Sequence, residues 1–215
     1  MLTLFGSPSS GSAAIEMALA QAGLPYRPVR AATWEPESAL DELGRVNPLR
    51  QIPTLLLDDG SVLTESAAIL IHLGLVQPAS GLLPSGSAAR AQAIRGLVFI
   101  AANCYAAIGV IDHPERWCGD VTPNITPDDT CREQLRRGAQ LRLHLYWVMF
   151  ANQFGASLNS DAPGALDFLA TVVSRWSGAR AHLAAERPSF AATLARIDAH
   201  PAVAPVVARH WPVPE

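Results

Sequence analysis

Asn47-Pro48-Leu49-Arg50-Gln51-Ile52-Pro53-Thr54-Leu55-Leu56-Leu57, then Asp58-Asp59-Gly60, then Ser61-Val62-Leu63-Thr64-Glu65-Ser66-Ala67-Ala68-Ile69-Leu70, is the stretch that decides how this 215-residue chain folds. Two apolar runs around an Asp-Gly pair make a β-hairpin, because a tight turn between twisted strands needs positive φ and Gly accepts it. Pro53 heads the first strand, where a missing N–H is tolerated and where an X-Pro bond can be cis. Thr64 or Glu65 then opens a helix that runs to about Leu75.

Upstream, Leu2 to Phe5 is a short apolar run ended by Gly6-Ser7-Pro8, a strand followed by a turn. From Ser12 the pattern becomes helical, with Ile15, Ala18, Leu19 and Ala22 on one face and Gly23 at its end. Tyr26 to Arg30 supplies a second strand. A short helix is expected around Ser38 to Leu43, where Glu37, Asp41 and Glu42 crowd the start and Gly44 stands at the end. Residues 1–76 therefore read βαβαββα, an α/β domain.

Downstream, residues 77–86 are rich in Pro, Ser and Gly and read as a linker. Beyond it every periodic segment is helical: Ala88 to Ile111, about Asp129 to Phe154, Ala165 to Ser177, and Phe190 to Ala199. Residues 87–215 are thus expected to form an all-helical bundle.

Composition removes several functions. The chain is 49% hydrophobic, so it can bury a core, and 16% charged with a net charge of −3. All sixteen basic residues are Arg, with no run longer than Arg136-Arg137. A nucleic-acid surface needs a basic stripe, so nucleic acid is not an expected partner. Without Lys, any anion handled here is met by Arg, hydroxyls or backbone N–H groups. Cys104, Cys118 and Cys131 form an odd set with no CxxC spacing, which suits a reducing, cytoplasmic setting and offers no zinc site. The first residues lack a basic region ahead of an apolar run, so no signal peptide is expected. The apolar stretch Gly96 to Ile111 is shorter than the ~20 residues a bilayer span needs and contains Asn103, so no membrane is expected as a partner.

Three places invite chemistry. The turn Gly6-Ser7-Pro8-Ser9-Ser10-Gly11-Ser12 puts four hydroxyls at a helix N-terminus, where N–H groups and the dipole favour an anion such as a thiolate; the same serines would also serve as ordinary caps. Gln51-Ile52-Pro53 can present backbone groups to an extended peptide, or can be a plain strand start. Glu65-Ser66 at a helix start can hold a zwitterionic amino-acid group, Ser and N–H groups on its carboxylate and Glu on its ammonium, or can be a simple helix-start acid.

Taken together, Asn-Pro-Leu-Arg-Gln-Ile-Pro-Thr-Leu, the Asp-Gly hairpin and Thr-Glu-Ser-Ala-Ala-Ile resemble the cytosolic glutathione S-transferases. The late segments Gly164-Ala-Leu-Asp-Phe-Leu-Ala170 and Ala195-Arg-Ile-Asp-Ala-His-Pro-Ala-Val203 are similar to that family's capping segment and last characteristic helix. The resemblance implies a thioredoxin-like N-terminal domain that binds glutathione, an all-helical C-terminal domain, a homodimer, and no cofactor or metal beyond glutathione as co-substrate. It implies that Ile52-Pro53, with Pro53 cis, pairs with the cysteinyl part of glutathione, that Glu65 and Ser66 hold its γ-glutamyl end, and that Gln51 contacts the tripeptide.

No Tyr or Cys stands in the first turn, so the chain looks like the serine-using classes, with Ser9 or Ser10 as the thiolate-stabilising donor ahead of Ser7 and Ser12. Arg50 replaces a usual glycine and reads equally as an anion contact or a solvated residue. Gly164 leaves a capping box before Asp167 incomplete. A hydrophobic electrophile would be met by some of Phe99, Asn103, Tyr105, Ile108, His113 and Trp117, with Tyr105, His113 and Trp117 foremost and the Tyr105 hydroxyl near substrate or sulfur. The implied activity is conjugation of glutathione in detoxification. The alternatives are glutathione-dependent peroxide or disulfide reduction, isomerisation, and a non-catalytic binding or assembly module on the same fold.

Overall fold

A computed structural model describes residues 1–118 and 129–212. Its first half contains Leu2–Gly6 (β1), Ser12–Gln21 (α1), Tyr26–Arg30 (β2), Leu40–Val46 (α2), Thr54–Leu56 (β3), Val62–Leu63 (β4) and Ser66–Val76 (α3), the thioredoxin-like βαβαββα order. The sheet runs β2-β1-β3-β4, with β1 and β2 parallel and the other pairs antiparallel. A parallel pair needs a crossover, which α1 supplies, whereas β3 and β4 need only the Asp-Gly turn. Pro28 lies in β2, an edge strand, where its missing N–H costs no interior ladder bond.

The second helix departs from its predicted bounds. Ser38 stays outside it because its hydroxyl is tied to the backbone of Ala32. The helix passes through Gly44 and ends only at Val46; a Cβ on Gly44 would lie 3.0 Å from Nε of Arg50, so the glycine makes room for that side chain. Leu43 and Val46 pack with Phe5 and Ala31 beneath the sheet.

Residues 77–86 join α3 to the second half through a short turn at Pro78–Ser80, and Leu82 and Leu83 are buried rather than solvated. Ser87–Phe99 (α4), a π-helical turn at Ile100–Tyr105 and Ala106–Asp112 (α5) run on as one helix. Asp129–Phe154 (α6), Ala165–Val173 (α7), Ala179–Glu186 (α8), Pro188–Ala199 (α9) and Ala204–His210 (α10) complete the bundle. The predicted helix over 165–177 stops at Val173, because Ser177 and Gly178 take positive φ and turn the chain into α8. By length and composition alone the 26-residue span Ser87–Asp112 could cross a membrane. Here its Leu97, Ile100, Cys104 and Ile108 side chains enter the core.

One hydrophobic core runs through both halves. Leu4, Ile15, Met17 and Leu19 belong to it, as do Trp147, Phe150, Phe168 and Leu169. Full burial of each large side chain stabilises the fold by about 1.5–3 kcal/mol before entropy is counted. Gly164 sits at the junction: a Cβ there would lie 2.8 Å from the Leu82 carbonyl, which accepts the Ala165 N–H at 2.9 Å. That contact explains why no Ser or Thr caps α7. Half of the capping box is nonetheless made, since the Gly164 N–H donates to Asp167 Oδ2 at 2.9 Å.

Burial is the largest influence on Asp167 and pushes its carboxyl up to about 6, against hydrogen bonds from the Gly164 and Asn159 N–H groups. A folded pKa above the unfolded value of 3.8 means that folding takes up a proton between those limits. The contribution to stability is therefore full below the unfolded pKa and declines as pH rises through the folded one. The stability advantage of the wild type over Asp167→Asn should be larger at about pH 4 than at about pH 7, by on the order of 2 kcal/mol, in urea unfolding.

Candidate functional site

A cleft of about 560 Å³ lies where the two halves meet. Its walls are the turn Ser9–Gly11, Thr33 and Trp34 after β2, the loop 49–53, the start of α3, the middle of the Ser87–Asp112 helix, and Trp176 from the turn after α7. Gln51, Ile52, Pro53, Glu65 and Ser66 all border it.

The loop 47–53 is shaped by buried Asn47. Its amide donates to the Gln51 carbonyl at 3.0 Å and to Thr54 Oγ1 at 2.9 Å, and its Oδ1 accepts the Leu49 N–H at 3.1 Å. The Ile52-Pro53 bond is cis, and among the described residues neither backbone group of Ile52 has a hydrogen-bond partner. Gln51 and Arg50 are exposed along the same wall, with Arg50 3.8 Å from Asp41.

Glu65 precedes α3 at φ 63°, and Ser66 is buried in the helix's first turn. Of the non-glycine residues with positive φ, Ser9, Arg50 and Glu65 border this cleft and Ser177 does not. Such conformations cost about 1–3 kcal/mol each, and their concentration here points to a demand of the site.

The first-turn hydroxyls are bound up in the turn itself. Ser7 donates to Glu35, whose other oxygen meets Arg30 at 2.5 Å; the Arg30 and Ser7 bonds hold this carboxyl below the ordinary range. Ser10 Oγ is buried and donates to the Ser7 carbonyl at 2.7 Å. It also accepts the Ser12 N–H at 3.2 Å and lies 2.9 Å from Ser12 Oγ. Ser9 is exposed, and its hydroxyl donates to the His210 carbonyl at 2.6 Å. His210 Nε2 in turn lies 2.9 Å from Glu16 on α1; burial alone would raise the Glu16 carboxyl, but His210 and Arg209 outweigh it and lower it. The backbone N–H groups of Ser10 and Gly11 have no acceptor among the described residues.

On the helical side Tyr105, Ile108 and His113 line the cleft, as the sequence suggests, and Phe99, Asn103 and Trp117 do not. Phe99 packs with Tyr146, Phe150 and Phe154. Asn103 donates to the Phe99 carbonyl at 3.0 Å across the π turn, and Trp117 is turned to solvent. Cys104 faces the core, where burial pushes its thiol up to about 12 and leaves it inert. Cys118 and Cys131 bring their sulfurs to 3.2 Å.

Burial likewise raises the Tyr105 phenol to about 12, with Ser66 opposing the shift and Glu65 adding to it. Its Oη is buried and, among the described residues, within full hydrogen-bond distance of no partner, with the Ser66 hydroxyl the group that faces it. Trp34, Leu49, Asp112, Arg116 and Trp176 also line the cleft. Leu49 belongs to the stretch 47–57 already singled out, whereas no sequence pattern marks the other four, which come from loops and helix ends. Among the described residues no group of three or more His, Cys, Asp or Glu side chains is placed to hold a metal.

Residues 8–74 match the glutathione S-transferase N-terminal domain. An uncharacterized GST-like protein of Escherichia coli, YncG, is 37% identical over 121 residues, 56% of this chain and 58% of that protein. The glutathione S-transferase GstA of Escherichia coli is 35% identical over 104 residues, 46% and 47% of the two chains. This chain thus matches about half the length of these curated relatives. Over 98% of its length it shares the fold of a sphingomonad glutathione S-transferase complexed with glutathione, with a TM-score of 0.75, 23% identity and 100% of that chain covered.

Proposed function

With a glutathione S-transferase N-terminal domain at residues 8–74 and the fold of a bacterial glutathione S-transferase along nearly all its length, we propose that this protein binds glutathione in the cleft and transfers it to a hydrophobic electrophile. One observation carries the reading. Ile52, with both backbone groups unengaged among the described residues, and the strained Glu65-Ser66 helix start face the same cleft as the first turn of α1. An extended peptide can pair with Ile52 as a strand would. Ser66 and the free N–H groups of α3 suit the γ-glutamyl carboxylate, Glu65 its ammonium, and Gln51 the peptide flank.

The cysteinyl sulfur then falls toward Ser9, Ser10 and Gly11, where N–H groups at a helix start and a hydroxyl donor lower a thiol pKa from about 8.5. The donor stays protonated throughout. The thiol proton goes to solvent, the sulfur forms a C–S bond, and a leaving group such as halide departs with its electron pair. Holding both reactants in one cleft supplies the remaining acceleration. In this scheme residues 1–76 bind glutathione, 77–86 link, and the helical half lends Tyr105, Ile108, His113 and Trp176 to the electrophile. A cytoplasmic location supplies reduced glutathione.

Turnover with a chromogenic aryl halide and with cumene hydroperoxide tests the reaction type. Conjugation of the halide supports a transferase. Turnover of hydroperoxide alone, with two glutathiones oxidised to the disulfide as the O–O bond is reduced to alcohol and water, assigns a reductase instead. Glutathione binding without either reaction would make the protein a binding module.

A second copy of the chain is the proposed partner. Leu141, Leu145 and Met149, four residues apart on α6, are exposed, as is Val98 on α4, and such apolar stripes mark association surfaces. Sedimentation should show a dimer at micromolar concentration and a monomer for Leu141→Glu combined with Leu145→Glu. A monomeric wild type contradicts this assignment.

A further inference from the structure

Resting on the glutathione reading above, we propose that the Tyr105 hydroxyl, carried by the helical half, is the hydrogen-bond donor to the glutathione sulfur and takes the place of a first-turn side chain. A Cβ built on Gly11 would lie 2.3 Å from Tyr105 Oη, and 3.4 Å from both Ser66 Oγ and Pro53 Cδ. The phenol oxygen therefore fills the space that a side chain at the mouth of α1 would fill. It stands among the three segments that hold the tripeptide: the first turn, Pro53 and the start of α3.

Its hydrogen-bonding state differs from that of its neighbours. Ser7, Ser9 and Ser10 each spend their proton on Glu35, the His210 carbonyl and the Ser7 carbonyl respectively, and Ser12 lies against Ser10 and Ser7. Tyr105 Oη is buried and, among the described residues, has no acceptor within full hydrogen-bond distance; the group that faces it is the Ser66 hydroxyl. A phenol held at the wall of a thiol site without a strong acceptor can turn its proton to a thiolate that takes up the position beside it. Burial keeps the phenol protonated across the working pH range, so it donates and does not act as a base.

The local fold explains how a residue of the second half reaches this point. The π turn at Ile100–Tyr105 admits an extra residue, which sends Cys104 into the core while Tyr105 lines the cleft. The Trp176 ring, 5.7 Å away, backs the phenol.

The test follows the ultraviolet absorbance of the thiolate against pH in the glutathione-saturated protein. Tyr105→Phe keeps the ring and the fold. It should raise the bound thiol pKa by about one to two units and lower kcat/KM on the order of 100-fold at neutral pH, with the loss shrinking as pH rises. The glutathione dissociation constant should move little. Adding Gly11→Ser to Tyr105→Phe puts a hydroxyl back in the vacated space and should restore much of the thiolate signal. An unchanged thiol pKa in Tyr105→Phe overturns the assignment and returns the role to Ser9 or Ser10. If the wild type fails to bind millimolar glutathione, the underlying reading fails as well, so the two failures are distinguishable.

Discussion

Ser66→Ala should raise the glutathione dissociation constant roughly 10- to 100-fold while the protein stays folded. Ser66 is buried in the first turn of α3, and in the proposed complex its hydroxyl and the N–H groups of that turn would hold the γ-glutamyl carboxylate. A hydrogen bond to a charged group contributes about 1.5–3 kcal/mol, which is one to two decades in affinity. Alanine keeps the helix and loses only that bond. Cysteinylglycine, which lacks the γ-glutamyl group, provides the internal control: wild type and Ser66→Ala should bind it alike. Equal affinity of the two proteins for glutathione would remove Ser66 from the site. Glu65→Gln should weaken binding by about tenfold through loss of the ammonium's counter-charge.

Arg180→Leu should cost about 3–4 kcal/mol of stability, read as a lowered midpoint in chemical denaturation. Arg180 Nε donates to Ser174 Oγ at 2.7 Å, its NH2 to the Thr171 carbonyl at 2.7 Å, and its NH1 to Asp198 at 2.9 Å. Thr171 also donates to Asp198, and Arg175 pairs with the same carboxylate at 2.7 Å. This network fastens α7, α8 and α9 together. Burial pulls the Arg180 pKa below its ordinary value and Asp198 opposes that, as expected of a charge withdrawn from water but paired. Removing the guanidinium leaves Asp198 with one cation and the Thr171 carbonyl with only the Ser174 hydroxyl as side-chain donor, at 3.3 Å. Arg180→Lys should recover less than half of the loss, because a single ammonium cannot reach three acceptors on two helices. A loss below about 1 kcal/mol would mean that the network is decorative.

The N-terminal half was legible because its signals are local. The Asp59-Gly60 turn, Pro53 at a strand head and Glu65-Ser66 at a helix start each declare themselves within a few residues. Since Pro53 and Glu65-Ser66 stand at the two ends of that hairpin, their meeting in one cleft needs no long-range knowledge. The break after Val173 was not legible, because Ser177 takes a left-handed conformation that its residue type does not announce. Helix α10 is not announced by the sequence, because Pro201 and Pro205 interrupt the periodicity around its two buried residues, Val206 and His210.

The site's hydroxyls show the limit most clearly. Sequence placed four serines at the turn but could not show that Ser9 gives its proton to a carbonyl 201 residues away. It read Gly11 as part of a turn, whereas the structure makes it the vacancy into which Tyr105 reaches from the other half. Trp34 and Trp176 line the cleft from loops that carry no periodic signal.

Calorimetric titration of the intact protein with reduced glutathione tests the central claim most directly. Saturable binding at one site per chain, with a dissociation constant at or below the millimolar range and weakened by Ser66→Ala, is the predicted result. A folded wild-type protein that takes up no glutathione at millimolar concentration would contradict it.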